Sequence, residues 1–138
     1  MGDNADTFVY PLPLALMEAA RERRQEILAT NILFGGLAFS VLVSLVEVPG
    51  IWHKPATLGT LLLGYLAFAG FYYAIRVGIS VFKWLFLLGT AFNLVYSLVY
   101  YHKTLQGIGT GFLPIANYVV FFGSRLLAAV LLLRPQRE

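Results

Sequence analysis

The sequence predicts an all-α membrane protein, a four-transmembrane-helix bundle with a short N-terminal cytoplasmic helix. Three observations predict it. Four apolar runs of about 20 residues fill most of the 138-residue chain, and ~20 residues at ~1.5 Å each cross ~30 Å of hydrocarbon. The chain is 59% hydrophobic and only 12% charged, about half the charge of an ordinary soluble domain, so a water-soluble fold of this length could not hide its apolar surface. Finally, Lys and Arg fall between the runs with a strong bias to alternate gaps.

The elements follow in order. Residues 1–13 read as an irregular arm whose Phe8, Val9, Tyr10 and Leu12 suit a lipid surface, while Asp3 and Asp6 oppose deep insertion. With no basic stretch before an apolar one, a cleaved signal peptide is not expected, and the first span serves as its own signal. Asp6 stands where the myristoylation pattern needs Ser or Thr. A helix starts at Leu14, with Pro13 tolerated in its first turn. Its pairs Glu18–Arg21 and Arg23–Glu26, three residues apart, suit a solvated run-in. Residues 1–26 thus form an arm and run-in helix, and 27–138 a transmembrane domain with spans at about 27–48, 56–75, 79–101 and 112–133. Pro49-Gly50 closes the first span, Lys54-Pro55 opens the second, and Arg76-Val77-Gly78 turns the chain into the third. Residues 102–111, with Gly107, Gly109 and Gly111, read as a flexible loop; Pro114 sits in the first turn of the fourth span and Pro135 marks its end.

Orientation follows from the basic residues. With the N-terminus inside, the cytoplasmic side holds Arg21, Arg23, Arg24, Arg76, Lys83, Arg134 and Arg137, against Lys54 and Lys103 outside. Seven against two places both termini in the cytoplasm. Trp52, Tyr100 and Tyr101 at the outer boundary, and Tyr72, Tyr73 and Trp84 at the inner one, fit aromatic belts. A bacterial inner (plasma) membrane suits so compact a chain. The positive charges serve topology and lipid contact; they form no patch interleaved with aromatics, so nucleic acid is not an expected partner.

Lipid offers no hydrophobic drive to bring helices together, so seams need small residues and interhelical hydrogen bonds. Small or polar residues recur at four-residue steps in each span: Gly36, Ser40 and Ser44; Ala56, Thr60 and Gly64, with Ala67 and Gly70 beyond; Gly89, Asn93 and Ser97; Ala116, Ser124 and Ala128. These stripes are the expected packing faces, within one chain or between chains.

Arg125 is the residue most informative about function. It lies about eight residues from the end of the fourth span, ~12 Å deep. A lipid-facing Arg there costs ~2.5–3.5 kcal/mol, so it should face protein. No Asp or Glu lies at its depth: Glu26 is at the inner rim and Glu47 near the outer one. The neutral groups expected to serve it are Asn31, Asn93, Tyr65, Ser124 or a carbonyl; Asn117 lies alongside on the same helix. A lone intramembrane Arg also resembles half of an ion pair whose acid belongs to another protein.

Other chemistry is sparse. The chain has no cysteine, which removes thiolate catalysis and thiol-held metals. His53 and His102, with Glu47 as a third donor, fall short of a defined metal site. Gly-Lys-Ser/Thr, His-Glu-x-x-His and Gly-x-Ser-x-Gly motifs are absent, and the glycines at 107–111 follow no strand. No catalytic residue, metal or cofactor is therefore expected. The function expected is non-enzymatic: a small polytopic protein acting through helix–helix contacts with a membrane partner, as accessory subunit, assembly factor or immunity/inhibitor protein. The partner is another membrane protein or a second copy, alongside membrane lipids. The alternative is a subunit of an oligomeric transporter or channel, with a polar site around Arg125, Asn93, Asn117 and Asn31.

Overall fold

The computed structural model describes residues 13–48 and 50–134, so the readings for residues 1–12, including the lipid-resting side chains, lie outside the described residues. The described residues form five α-helices and no strand. Helix α1 spans Leu14–Glu47, α2 Pro55–Val77, α3 Ser80–Val99, α4 Tyr101–Ile108 and α5 Phe112–Leu133, with a single 3-10 turn at Ile51–His53. Four of them, α1, α2, α3 and α5, are long and apolar enough to cross a membrane. The protein is a four-helix integral membrane bundle, and its even number of crossings puts Leu14 and Leu133 at one end, here the terminal end; the other is the distal end.

Run-in and first span are one helix. Nothing between Glu26 and Ile27 breaks the chain, and its 34 residues reach ~51 Å, about 20 Å more than the hydrocarbon needs. At the far end of α2, Gly78 adopts φ 91°; its N–H bonds the Ile75 carbonyl at 2.9 Å, and the Ile79 N–H bonds that of Ala74 at 3.1 Å. This is a Schellman cap, which needs the left-handed residue that glycine supplies cheaply. The connection to α3 is thereby cut to two residues, and Arg76 and Val77, expected in the turn, belong to the last turn of α2.

The expected loop at 102–111 is corrected. Residues 101–108 form α4, with the Thr104 N–H on the Tyr100 carbonyl at 3.0 Å. Six non-glycine residues precede Gly107, enough for a helical turn and a half, so the irregular backbone is confined to Gly109–Gly111. The third span ends correspondingly at Val99.

Helix α1 lies at the centre. It packs most extensively on α5, then on α2, while α3 touches α2 and α5 more sparsely. Its inward face, Ala29, Thr30, Leu33, Gly36, Leu37, Ser40 and Val43, follows the three-and-four spacing of a single helix face. Ala128, Ala129 and Leu132 of α5, Tyr72 and Ile75 of α2, and Phe86 and Leu87 of α3 complete the core. Gly36 is the point of closest approach: a Cβ there would fall 2.9 Å from Ser124 Cβ and nearer still to its hydroxyl. The distal half of the α1–α2 seam carries a hydrogen bond between the Ser44 and Tyr65 hydroxyls at 2.7 Å, of a kind that averages ~0.6 kcal/mol inside membranes. Leu42, Leu63, Leu88, Phe92 and Val119 are all more than half exposed. Such a surface would aggregate in water and is the ordinary one for a protein bathed in lipid.

Two of the stripes, expected to pack within one chain or between chains, do not pack within this one, and one belt residue needs correction. Gly64 is exposed, and a side chain there would meet nothing within 4 Å; the same holds for Gly89. Ser97 bonds only Asn93, one turn back on its own helix. The small-residue stripes of α2 and α3 therefore turn outward in the single chain, because these helices meet through large aromatic side chains instead. Tyr72, expected in the interfacial belt, is 1% exposed and packs edge-on against Phe34, Phe71 and Phe86, arrangements worth ~0.5–1.5 kcal/mol each beyond burial. Tyr73 and Trp84 remain on the surface.

Candidate functional site

The site grows out of that aromatic layer. On α5, Phe121 precedes Arg125 by one helical turn, so the two side chains share a face. Phe68 of α2 meets the Phe121 ring edge-on at 6.2 Å. The Arg125 guanidinium carbon rests over both rings, 5.7 Å from the centre of Phe68 and 5.3 Å from that of Phe121. The Tyr72 hydroxyl interacts with the same guanidinium electrostatically but lies outside hydrogen-bond geometry, buried and unpartnered.

Arg125 lines a cavity of about 310 Å³ whose other walls are Ala67, Phe68 and Phe71 of α2 and Leu85, Phe86 and Gly89 of α3. All are apolar. Ala67, Leu85 and Gly89 are exposed at its rim, so the cavity opens on the lipid-facing side between α2 and α3, and the absence of side-chain bulk at Gly89 keeps it open.

The hydrogen-bond partners expected for Arg125 are engaged elsewhere. Asn31 is exposed at the terminal end, where its carbonyl accepts from Arg76 Nη1 at 2.6 Å. Tyr65 is bonded to Ser44, and the Ser124 hydroxyl donates to the Phe121 carbonyl at 2.8 Å. Asn93 is exposed on α3 and accepts from Ser97 at 3.3 Å. Asn117 lies two turns of α5 away, ~12 Å along the axis, its Oδ1 buried and unpaired. So Arg125, Asn93, Asn117 and Asn31 do not form one cluster. Arg125 Nε is buried with no partner, and the ion pairs among the described residues do not involve it. Two ring contacts at ~0.5–2 kcal/mol each are together of the same order as the ~2.5–3.5 kcal/mol cost of a charge at this depth. What is missing among the described residues is an anion.

Sequence reasoning missed Phe68, Phe121 and Tyr72 as neighbours of Arg125. The four-residue step from Phe121 to Arg125 was a usable signal; Phe68 and Tyr72 come from another helix and had none.

One acid of the run-in takes a partner other than the one expected. Glu26 turns from Arg23 to Lys83, 3.5 Å away, and Glu22 meets Lys83 at 2.9 Å. His102 stacks on Tyr101, and among the described residues no three His, Asp or Glu side chains converge as for a metal. No protein-family model, curated protein or solved structure matches the chain.

Proposed function

We propose that this protein is a non-enzymatic membrane accessory protein that docks on a partner membrane protein through the groove between α2 and α3. The observation that carries the proposal is Arg125: a cation ~12 Å inside the membrane, with a buried, unpartnered Nε, at the wall of an apolar cavity open to lipid. The partner that completes it is a transmembrane helix carrying Asp or Glu at the same depth. Exposed Gly89 and Asn93, with half-buried Ser97, continue the groove along α3, a small and polar stripe on which a second helix can approach closely. A second copy of this chain is the weaker fit, because none of its acids lies at the depth of Arg125: Glu26 stands at the inner rim and Glu47 near the outer one. An oligomeric transport pathway draws less support, since Asn93 and Asn117 stand apart from Arg125. Accessory subunit, assembly factor and immunity or inhibitor protein are all roles of this docking type.

The proposal includes a topology: both termini in the cytoplasm of a bacterial inner membrane, from a count along the sequence of seven Lys and Arg on the inner side against two on the outer. A cytoplasmic reporter fused after Glu138 is expected to be active and a periplasmic alkaline phosphatase at that site silent; the reverse pattern would overturn the orientation. For docking, a photo-crosslinking residue at Leu85, on the groove rim, is expected to capture a membrane protein that has an acid within a span. The same residue at Leu42, on the outer face of α1, is expected not to. Capture from Leu85 only of a second copy, or equal capture from both positions, would contradict the proposal.

A further inference from the structure

At the terminal end a second cavity, of about 420 Å³, lies between the run-in part of α1 and the α2–α3 turn. We propose that it binds the headgroup of a phosphoethanolamine lipid. Its level suits a headgroup, because α2 ends at Val77 and α3 begins at Ser80 on its wall, where the spans meet the membrane boundary. Its charged side chains stand side by side. Lys83 is held by both Glu22 and Glu26, at 2.9 and 3.5 Å, so two carboxylates share one ammonium. Arg23 Nη1 lies against Gly78, 2.8 Å from where a Cβ would sit, with Glu26 Oε2 3.7 Å from the same point. Among the described residues Arg23 forms no ion pair, and its guanidinium keeps several N–H donors to spare.

The complement of such a wall is a phosphate joined to an ammonium. The phosphate accepts from Arg23, and the ammonium donates to Glu22, whose side chain is 53% exposed and within reach. A choline headgroup has no N–H to donate, and a glycerol headgroup brings no positive charge to Glu22. Trp84, 60% exposed beside the cavity, supplies the amphipathic surface that sits at the ester level of a bilayer. This site is independent of the docking groove, with which it shares no residue.

The test is native mass spectrometry of the purified full-length protein with equal amounts of phosphatidylethanolamine, phosphatidylcholine and phosphatidylglycerol. Phosphatidylethanolamine should be retained about tenfold over phosphatidylcholine, the worth of one charge-assisted hydrogen bond, about 1.4 kcal/mol. Glu22→Gln should bring the two lipids level, and Arg23→Gln should weaken both. Because Arg23 forms no ion pair among the described residues, Arg23→Gln breaks none there, and the measurement stands even if Glu22→Gln is unstable. Equal retention of all three lipids, preference for phosphatidylglycerol, or an unchanged profile in Arg23→Gln would overturn the site.

Discussion

Arg125→Leu is expected to leave the isolated protein about as heat-stable as the parent, while reducing recovery of its membrane partner a hundredfold or more. The two halves rest on different terms. Within the chain, Arg125 has two ring contacts, an unpartnered Nε and no acid, so leucine removes a charge that costs ~2.5–3.5 kcal/mol and loses ~1–4 kcal/mol of cation–π contact, terms of similar size that nearly cancel. In the complex, the same change leaves the partner's carboxylate buried and alone. That costs ~3–5 kcal/mol, roughly 10²–10⁴ in association. Thermal melting in detergent and quantitative co-purification measure the halves separately. A marked fall in melting temperature with partner recovery unchanged would make Arg125 a structural residue of the bundle.

Gly36→Leu should act in the opposite way, destabilising the chain itself. The α1–α5 contact is the most extensive in the molecule, and Ser124 already occupies the space a single methyl would need at Gly36. A leucine must push the two helices apart, and overpacking of this kind costs about 1–3 kcal/mol. The loss should appear as a clearly lower melting temperature in fluorescence-detected gel filtration. Leu42→Ala, at a position 63% exposed to the lipid side, should melt with the parent. Equal melting of the two variants would mean that the inward and outward faces of α1 have been exchanged.

The spans were legible because bilayer thickness imposes a length and an apolar composition that few other structures share. The fourth, at 112–133, agrees residue for residue with α5. Gly36 and Ser124 were each singled out from small-residue spacing, and they meet. Spacing did not reveal that Gly64 and Gly89 face away from the bundle. In lipid the inside and outside of a helix are equally apolar, so hydropathy carries no sign of which face turns inward. On α2 and α3 the decision went to Phe71, Tyr72 and Phe86, whose ring contacts outweigh what close backbone approach would give.

Arg125 was legible as a residue that needs protein around it, from depth and charge alone. Its surroundings were not. Asn31, Asn93 and Tyr65 are the polar groups a sequence offers, yet each bonds a nearer neighbour: Arg76, Ser97 and Ser44. Which helix faces Arg125 depends on the rotation of α2 about its axis, set by the whole aromatic layer. Residues 101–108 show the converse, where three closely spaced glycines drew attention away from six helix-compatible residues ahead of them.

The central claim is that a carboxylate on another protein completes Arg125, and charge exchange tests it most directly. Arg125→Glu should abolish crosslinking from Leu85 to the partner, by setting two carboxylates against each other in a medium that screens neither. Replacing the partner's intramembrane Asp or Glu with Arg should then restore crosslinking to the Arg125→Glu protein, and should abolish it for the parent. Undiminished crosslinking of Arg125→Glu, or no restoration by the exchanged pair when both proteins are folded and inserted, would contradict the account.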